Sequence, residues 1–178
     1  RLLERTGYTQ PALFALEVAL YRLLEHTGIR PDYLAGHSLG QITAAHCAGV
    51  LTLDDAALLV TTRARLMQNL PPGGAMTTAH TTPDTLTELL AQHPDVAIAA
   101  HNAPTTVTLS GPQPAITAIE EALRTQGIRV RRLHVSHAFH SPLMNPVLDD
   151  FHRTAESLTY HPPTIPIISN HNGQLATT

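Results

Sequence analysis

The chain of 178 residues has no lysine and no tryptophan, a single cysteine, and charged side chains at only 14% of positions. Its eleven basic residues are all arginines, and the net charge is −3. No broad positive field is therefore available to a phosphate backbone, which argues against a nucleic-acid partner. Cys47 has no partner for an internal disulfide. Its neighbours Ala44, Ala45, His46 and Ala48 describe tight helix packing more than a reactive thiol pocket, so a reducing, cytoplasmic setting is expected. No apolar run approaches the roughly 20 residues of a membrane-spanning helix. The sequence shows neither an initiator methionine nor a basic-then-apolar leader, and the expectation is a soluble piece of a longer polypeptide, of a size that suits one domain.

What is present is a regular alternation of helix and strand patterns. Leu13, Leu16, Val18, Leu20, Leu23 and Leu24 recur with helical spacing over Pro11 to Glu25, with Gly28 as a stop. A short strand at Tyr33-Leu34-Ala35 follows, then Gly36-His37-Ser38-Leu39-Gly40 and a small-residue helix to Gly49. Thr52 with Asp55 resembles a capping box that opens a helix to about Leu70, where Pro71-Pro72-Gly73-Gly74 ends it. Beyond this boundary the pattern predicts strand 75–79, helix 83–92, strands 96–100 and 106–109, helix 114–126 and strand 128–135. That is the βαββαβ order of a ferredoxin-like unit. A turn at 137–142, a helix over 143–158 and a returning strand at 165–169 complete the reading. The fold class expected is α/β, a hydrolase-like parallel core of residues 1–73 and 135–178 with a ferredoxin-like small subdomain, 74–134, inserted.

Three features could carry chemistry. Gly36-x-Ser38-x-Gly40 has the form of a nucleophile elbow, in which small residues let the chain turn sharply and leave a serine at a helix N-terminus. Amides there, including that of Leu39, can stabilise an oxyanion; the alternative is an ordinary glycine-rich turn. A serine needs a base, and of twelve histidines the cluster His134, His137 and His140 stands where the chain returns to the α/β layer. Their spacing could suggest a metal site, but they span a strand end and a turn and share no single face. Arg63 falls within the apolar stripe of its helix, among Ala56, Leu59, Val60, Leu66, Met67 and Leu70. A guanidinium there either grips a carboxylate in two-point contact, or forms a structural ion pair, or snorkels to solvent.

Taken together, Tyr8–Phe14, Gly36–Gly40, Arg63–Gln68, Gly74-Ala75-Met76 and Val135–Met144 closely resemble the acyltransferase domains of modular type I polyketide synthases. The resemblance implies that Ser38 is acylated, that His140 is its general base, and that Arg63 holds the free carboxylate of a malonyl group. It also implies that Gln10, His37, Asn102 and Phe139 line the site and that the Leu39 amide is half of an oxyanion hole. The other half belongs to a Gly-Gln-Gly segment expected before Arg1. Malonyl-CoA would be the donor and the phosphopantetheine thiol of an acyl carrier protein the acceptor, with no bound metal or redox cofactor. The implied partners are that carrier protein, a neighbouring ketosynthase and other domains of the same synthase. His137-Ala138-Phe139-His140 resembles the family's version for malonyl, whereas Tyr-Ala-Ser-His accompanies methylmalonyl. One departure is Gln41, where the family usually has Glu. Two competing readings are a serine esterase, for which no acidic triad residue is evident between serine and histidine, and a non-catalytic module that binds through the ferredoxin-like segment.

Overall fold

In the computed structural model, which describes residues 2–176, the elements in chain order are α1 (Thr6–His26), β1 (Leu34–Ala35), α2 (Gly40–Cys47), α3 (Leu53–Gln68), β2 (Gly74–Ala79), α4 (Thr87–Ala91), β3 (Ala97–Ala103), β4 (Thr106–Pro112), α5 (Gln113–Thr125), β5 (Val130–Arg132), α6 (Leu148–Glu156) and β6 (Ile167–Ile168). They fall into two compact units. One takes the chain up to Gln68 and again from Asp149; the other is Asn69–Leu148.

In the first unit β1 and β6 pair in parallel, with Leu34 opposite Ile167 and Ala35 opposite Ile168. Phe14, Leu39, Leu51, Ala56, Leu59, Val60 and Leu158 form its core. α3 begins where Thr52 caps it: the Thr52 hydroxyl accepts from the Asp55 amide at 3.1 Å and donates to the Asp55 carboxylate at 2.8 Å. Such a cap typically contributes about 1 kcal/mol. Just past α2 the chain is met by a strap of later residues, in which the Thr164 and His161 amides donate to Ala48 O and Val50 O at 2.7 and 2.9 Å.

α1 departs from its sequence pattern. It starts at Thr6, earlier than expected, and its buried residues are Thr6, Gln10 and Phe14. These are four residues apart and so share one face. Leu13, Leu16, Leu20, Leu23 and Leu24, the periodic leucines, are all exposed. Two of the three residues on the face that packs are thus polar, which hydropathy periodicity alone does not register.

The second unit is an antiparallel sheet in the order β3-β4-β2-β5. Leu86, just before α4, Leu89 and Leu90 of α4, and Ile116, Ile119 and Leu123 of α5 join a core with Ala75, Ala79, Val107 and Leu109. Connection order and strand order are those of a ferredoxin-like fold. Burying each of the large aliphatic side chains of α5 is worth about 1.5–3 kcal/mol. Glu120, on the same helix, is 4% exposed. It accepts from Arg132 Nε and Nη2 at 2.7 and 3.0 Å and from Arg124 at 3.2 Å.

Several expected spans differ in detail: the returning strand at 165–169 shortens to Ile167–Ile168, and the strands at 96–100 and 106–109 extend to Ala103 and Pro112. The helix over 83–92 is a 3-10 turn, Asp84–Leu86, followed by the short α4. The last strand shrinks to Val130–Arg132. The helix over 143–158 is divided into a 3-10 stretch, Pro142–Val147, and α6, because Pro146 lacks an amide hydrogen and cannot continue an α-helical ladder. The compact unit also takes in 69–73 and 135–148, beyond the 74–134 insert read from sequence. Its cause is local packing. A Cβ on Gly74 would lie 2.5 Å from Ala138 N, and His137 hydrogen-bonds to the Leu70 carbonyl.

Candidate active site

Gly36-His37-Ser38-Leu39-Gly40 links β1 to α2. Ser38 has φ +53°, a left-handed conformation that costs a non-glycine residue about 1–2 kcal/mol. The chain turns back so tightly that a Cβ on Gly36 would stand 2.0 Å from both C and O of Gly40. Glycine at 36 is therefore a condition of the turn. A Cβ on Gly40 would meet nothing nearer than a Glu17 carboxylate oxygen at 3.9 Å, so the two glycines of the motif are not equivalent. The amides of Gly40, Gln41 and Ile42 donate to His37 O, Ser38 O and Leu39 O at 3.0, 3.1 and 2.9 Å. They fix the start of α2 with the Leu39 amide next to Ser38. Leu39 itself is buried and His37 exposed.

Arg63 comes to this serine from α3, in the same unit. Its Nη2 donates to Ser38 Oγ at 3.0 Å and its Nη1 to Gln10 Oε1 at 2.5 Å. Gln10 is oriented in turn, since its Nε2 donates to Thr6 Oγ1 at 2.7 Å and approaches Met67 Sδ at 3.5 Å. Burial pulls the Arg63 guanidinium below the usual arginine range. Among the described residues no aspartate or glutamate forms an ion pair with it. Of the three alternatives open at the sequence level, the structural ion pair is thus absent from the described residues. A half-buried cation whose two contacts are both neutral is left with unused affinity for an anion.

His140 lies in the second unit, on the turn between β5 and the 3-10 stretch, at φ +58°. Among the described residues, Ser38 and His140 are the only non-glycine residues with positive φ. Backbone strain of this kind persists where the surroundings over-determine it, and it clusters at functional sites. The Ser141 hydroxyl donates to Ala138 O at 2.7 Å and caps the following 3-10 turn through the Leu143 amide at 3.3 Å. Phe139 is half-buried, its ring centroid 6.0 Å from that of His137. Asn102 donates to Thr108 Oγ1 at 2.8 Å. It sits in a register shift of β3 between His101 and Ala103, where such an irregularity re-aims a side chain.

The structure therefore gathers Ser38, Arg63 and Gln10 in one unit, with His37 and Leu39 on the serine turn, and places His140, Phe139 and Asn102 in the other. Thr6, which holds Gln10, was not read from sequence, and His137, read only as one of the histidine cluster and of the motif ending at His140, is buried and hydrogen-bonded through both ring nitrogens. Nothing local in the sequence marks the burial of Thr6 or the His137 contacts. Cys47 is a buried free thiol whose pKa burial pushes up, in keeping with an inert packing role.

The family described as "Acyl transferase domain" matches residues 1–178. Mycoketide-CoA synthase of Mycobacterium tuberculosis is 51% identical over 175 residues, which is 98% of this chain and 4% of that protein. The acyltransferase domain from the second module of the salinomycin polyketide synthase superimposes with a TM-score of 0.95 at 53% identity, over 99% of this chain and 42% of that one. The malonyl-CoA:acyl carrier protein transacylase of Xanthomonas oryzae pv. oryzae does so with a TM-score of 0.92 at 36% identity, over 99% and 59%. The chain thus spans a small fraction of the curated relative and under three fifths of the solved domains. An α/β fold with a strained Ser38 elbow and a matching family profile along its whole length has one classification: the chain belongs to the acyl transferase domain family.

Proposed function

We propose that this chain is the central part of a cytoplasmic acyltransferase domain that moves a malonyl group from malonyl-CoA to the phosphopantetheine thiol of an acyl carrier protein in polyketide assembly. In subdomain terms, 1–73 and 135–178 form the catalytic part and 74–134 the inserted one. The observation that carries the reading is Arg63: its guanidinium stands 3.0 Å from Ser38 Oγ with no carboxylate of the described chain paired to it. A dicarboxylic acyl group presents its thioester carbonyl to the serine and its free carboxylate to the arginine, which a simple ester cannot do.

In the first half-reaction His140 accepts the Ser38 proton as Oγ attacks the thioester carbonyl. The oxyanion forms beside the Leu39 amide, and its collapse breaks the carbon–sulfur bond. Coenzyme A leaves as the thiol with the proton from His140, and malonyl-Ser38 remains. In the second, the carrier thiol gives its proton to His140 and attacks the ester; collapse returns the proton to Ser38 Oγ and leaves malonyl on the carrier. His37, Asn102 and Phe139 line the acyl pocket in this reading, with the Phe139 ring excluding an α-methyl substituent. Discrimination by one methyl is worth about 1–3 kcal/mol, so opening that wall shifts the preference rather than reversing it.

Intact-mass analysis of the complete acyltransferase domain after incubation with malonyl-CoA tests the reading. A malonyl adduct is expected, and Ser38→Ala should abolish it. Malonylation of the Ser38→Ala protein would place the nucleophile elsewhere. Release of free malonate at the rate of carrier loading would favour the esterase reading instead.

A further inference from the structure

Leu70 lies just past the end of α3 and is buried. A carbonyl beyond the last helical turn has no intrahelical donor, and the next residue, Pro71, has no N–H to offer. His137 supplies the donor: its Nε2 is 3.1 Å from Leu70 O. Because a carbonyl oxygen only accepts, Nε2 bears the proton. Nδ1, 3.0 Å from Ser136 Oγ, then accepts from that hydroxyl in the neutral ring. His137 is only 6% exposed and both nitrogens are engaged, so the ring serves as a fastening.

The same turn is held from its other side. Gly74 approaches so closely that a Cβ there would come within 2.5 Å of Ala138 N and 2.6 Å of Ala138 Cβ. Ser141 closes the turn on Ala138 O. Two residues after Ala138 stands His140 in its left-handed conformation, which relaxes unless its surroundings hold it.

We propose that His137 is a positioning residue for His140: by clasping the Leu70 carbonyl it ties the turn of residues 136–140 to the segment after α3 and keeps His140 in the left-handed conformation its role as base requires. The proposal rests on the acyltransferase reading of His140. Losing the clasp misplaces the base without removing it. The acylation step slows while the affinity for malonyl-CoA, set largely by Arg63, changes little.

The test compares wild type, His137→Phe and His137→Gln in the complete acyltransferase domain. Phenylalanine keeps the ring volume and removes the donor; glutamine keeps a donor. Single-turnover acylation by malonyl-CoA is measured as a function of concentration, together with amide hydrogen exchange of residues 136–140. His137→Phe is expected to lower the saturating rate roughly tenfold to a hundredfold, with KM within about threefold and faster exchange in the turn. His137→Gln should recover most of both. A His137→Phe domain that acylates at the wild-type rate, or a glutamine variant as slow as the phenylalanine one, overturns the positioning role and leaves the acyltransferase reading intact. A wild-type domain that forms no acyl-enzyme overturns the reading itself. Should His137→Phe fail to fold, imidazole nitrogen NMR of the unaltered domain decides: a slowly exchanging Nε2 proton and a bare Nδ1 support the clasp, and the opposite tautomer overturns it.

Discussion

Two turns in this molecule carry a polar residue in the left-handed conformation, and they are built by different means. The Ser38 turn is a backbone construction: Gly36 lies against Gly40, and successive amides hydrogen-bond back to His37, Ser38 and Leu39. The His140 turn is held by side chains and by a close approach from a distant segment, through His137 to Leu70 O, Ser141 to Ala138 O, and Gly74 beneath Ala138. A turn made by backbone crowding leaves its mark in consecutive residues. A turn made by tertiary contact leaves it scattered across the sequence.

The sharpest way to break the first construction is Gly36→Ala. A Cβ 2.0 Å from backbone atoms of Gly40 cannot be relieved by a side-chain rotation, so the elbow must open. A loss of about 3 kcal/mol or more is expected in chemical denaturation, together with loss of acyl-enzyme. A variant of wild-type stability would show that the turn tolerates a side chain there.

Glu120→Gln separates the stability of the second unit from its turn. The buried carboxylate meets Arg132 in two-point contact, and removing its charge should cost about 2–3 kcal/mol while hydrogen exchange at residues 136–140 stays as in wild type. Burial alone would raise the Glu120 pKa, but the hydrogen bonds and charge of Arg132, with Arg124 behind them, hold it below the ordinary glutamate range. A depressed folded-state pKa means that the carboxylate's contribution is fully present above the unfolded pKa. It disappears as pH falls through the lower, folded value. Wild type should therefore lose more stability than Glu120→Gln on acidification through that window; parallel losses would contradict the ion-pair account.

Gly74→Ala attacks the second construction as Gly36→Ala attacks the first, but its closest approach, 2.5 Å to Ala138 N, is less severe than the 2.0 Å at Gly36. A cost of about 1–3 kcal/mol is expected, with faster exchange at Ala138 to His140. Gly40→Ala should have the smallest effect, under about 1 kcal/mol in either direction, because its Cβ would meet only Glu17 at 3.9 Å and alanine favours the helix. Equal damage from Gly36→Ala and Gly40→Ala would remove the asymmetry between the two glycines.

Legibility in the sequence follows the same division. The elbow could be read because its glycines and serine are adjacent, and the ferredoxin-like order because turn residues separate short periodic runs. The α3 cap was visible as Thr52 and Asp55. What escaped was set by tertiary partners: Thr6 is buried as the acceptor for Gln10, which in turn meets Met67 and Arg63, while the leucines of α1 stayed exposed. Hydropathy carries no record of which face of a helix finds a hydrogen-bond partner. His137 showed only as one of three clustered histidines and of a four-residue resemblance, because its contact with Leu70 spans 67 positions.

The central claim is that Arg63, beside Ser38 and without a carboxylate partner among the described residues, recognises the free carboxylate of the acyl group. The direct measurement is the ratio of acylation rates with malonyl-CoA and acetyl-CoA in the complete domain, for wild type and Arg63→Ala. Losing charge-assisted hydrogen bonds worth about 1.5–3 kcal/mol should lower that ratio roughly tenfold to a hundredfold, by slowing malonyl transfer rather than by speeding acetyl transfer alone. A ratio left unchanged by Arg63→Ala would make the arginine a structural residue and contradict the account.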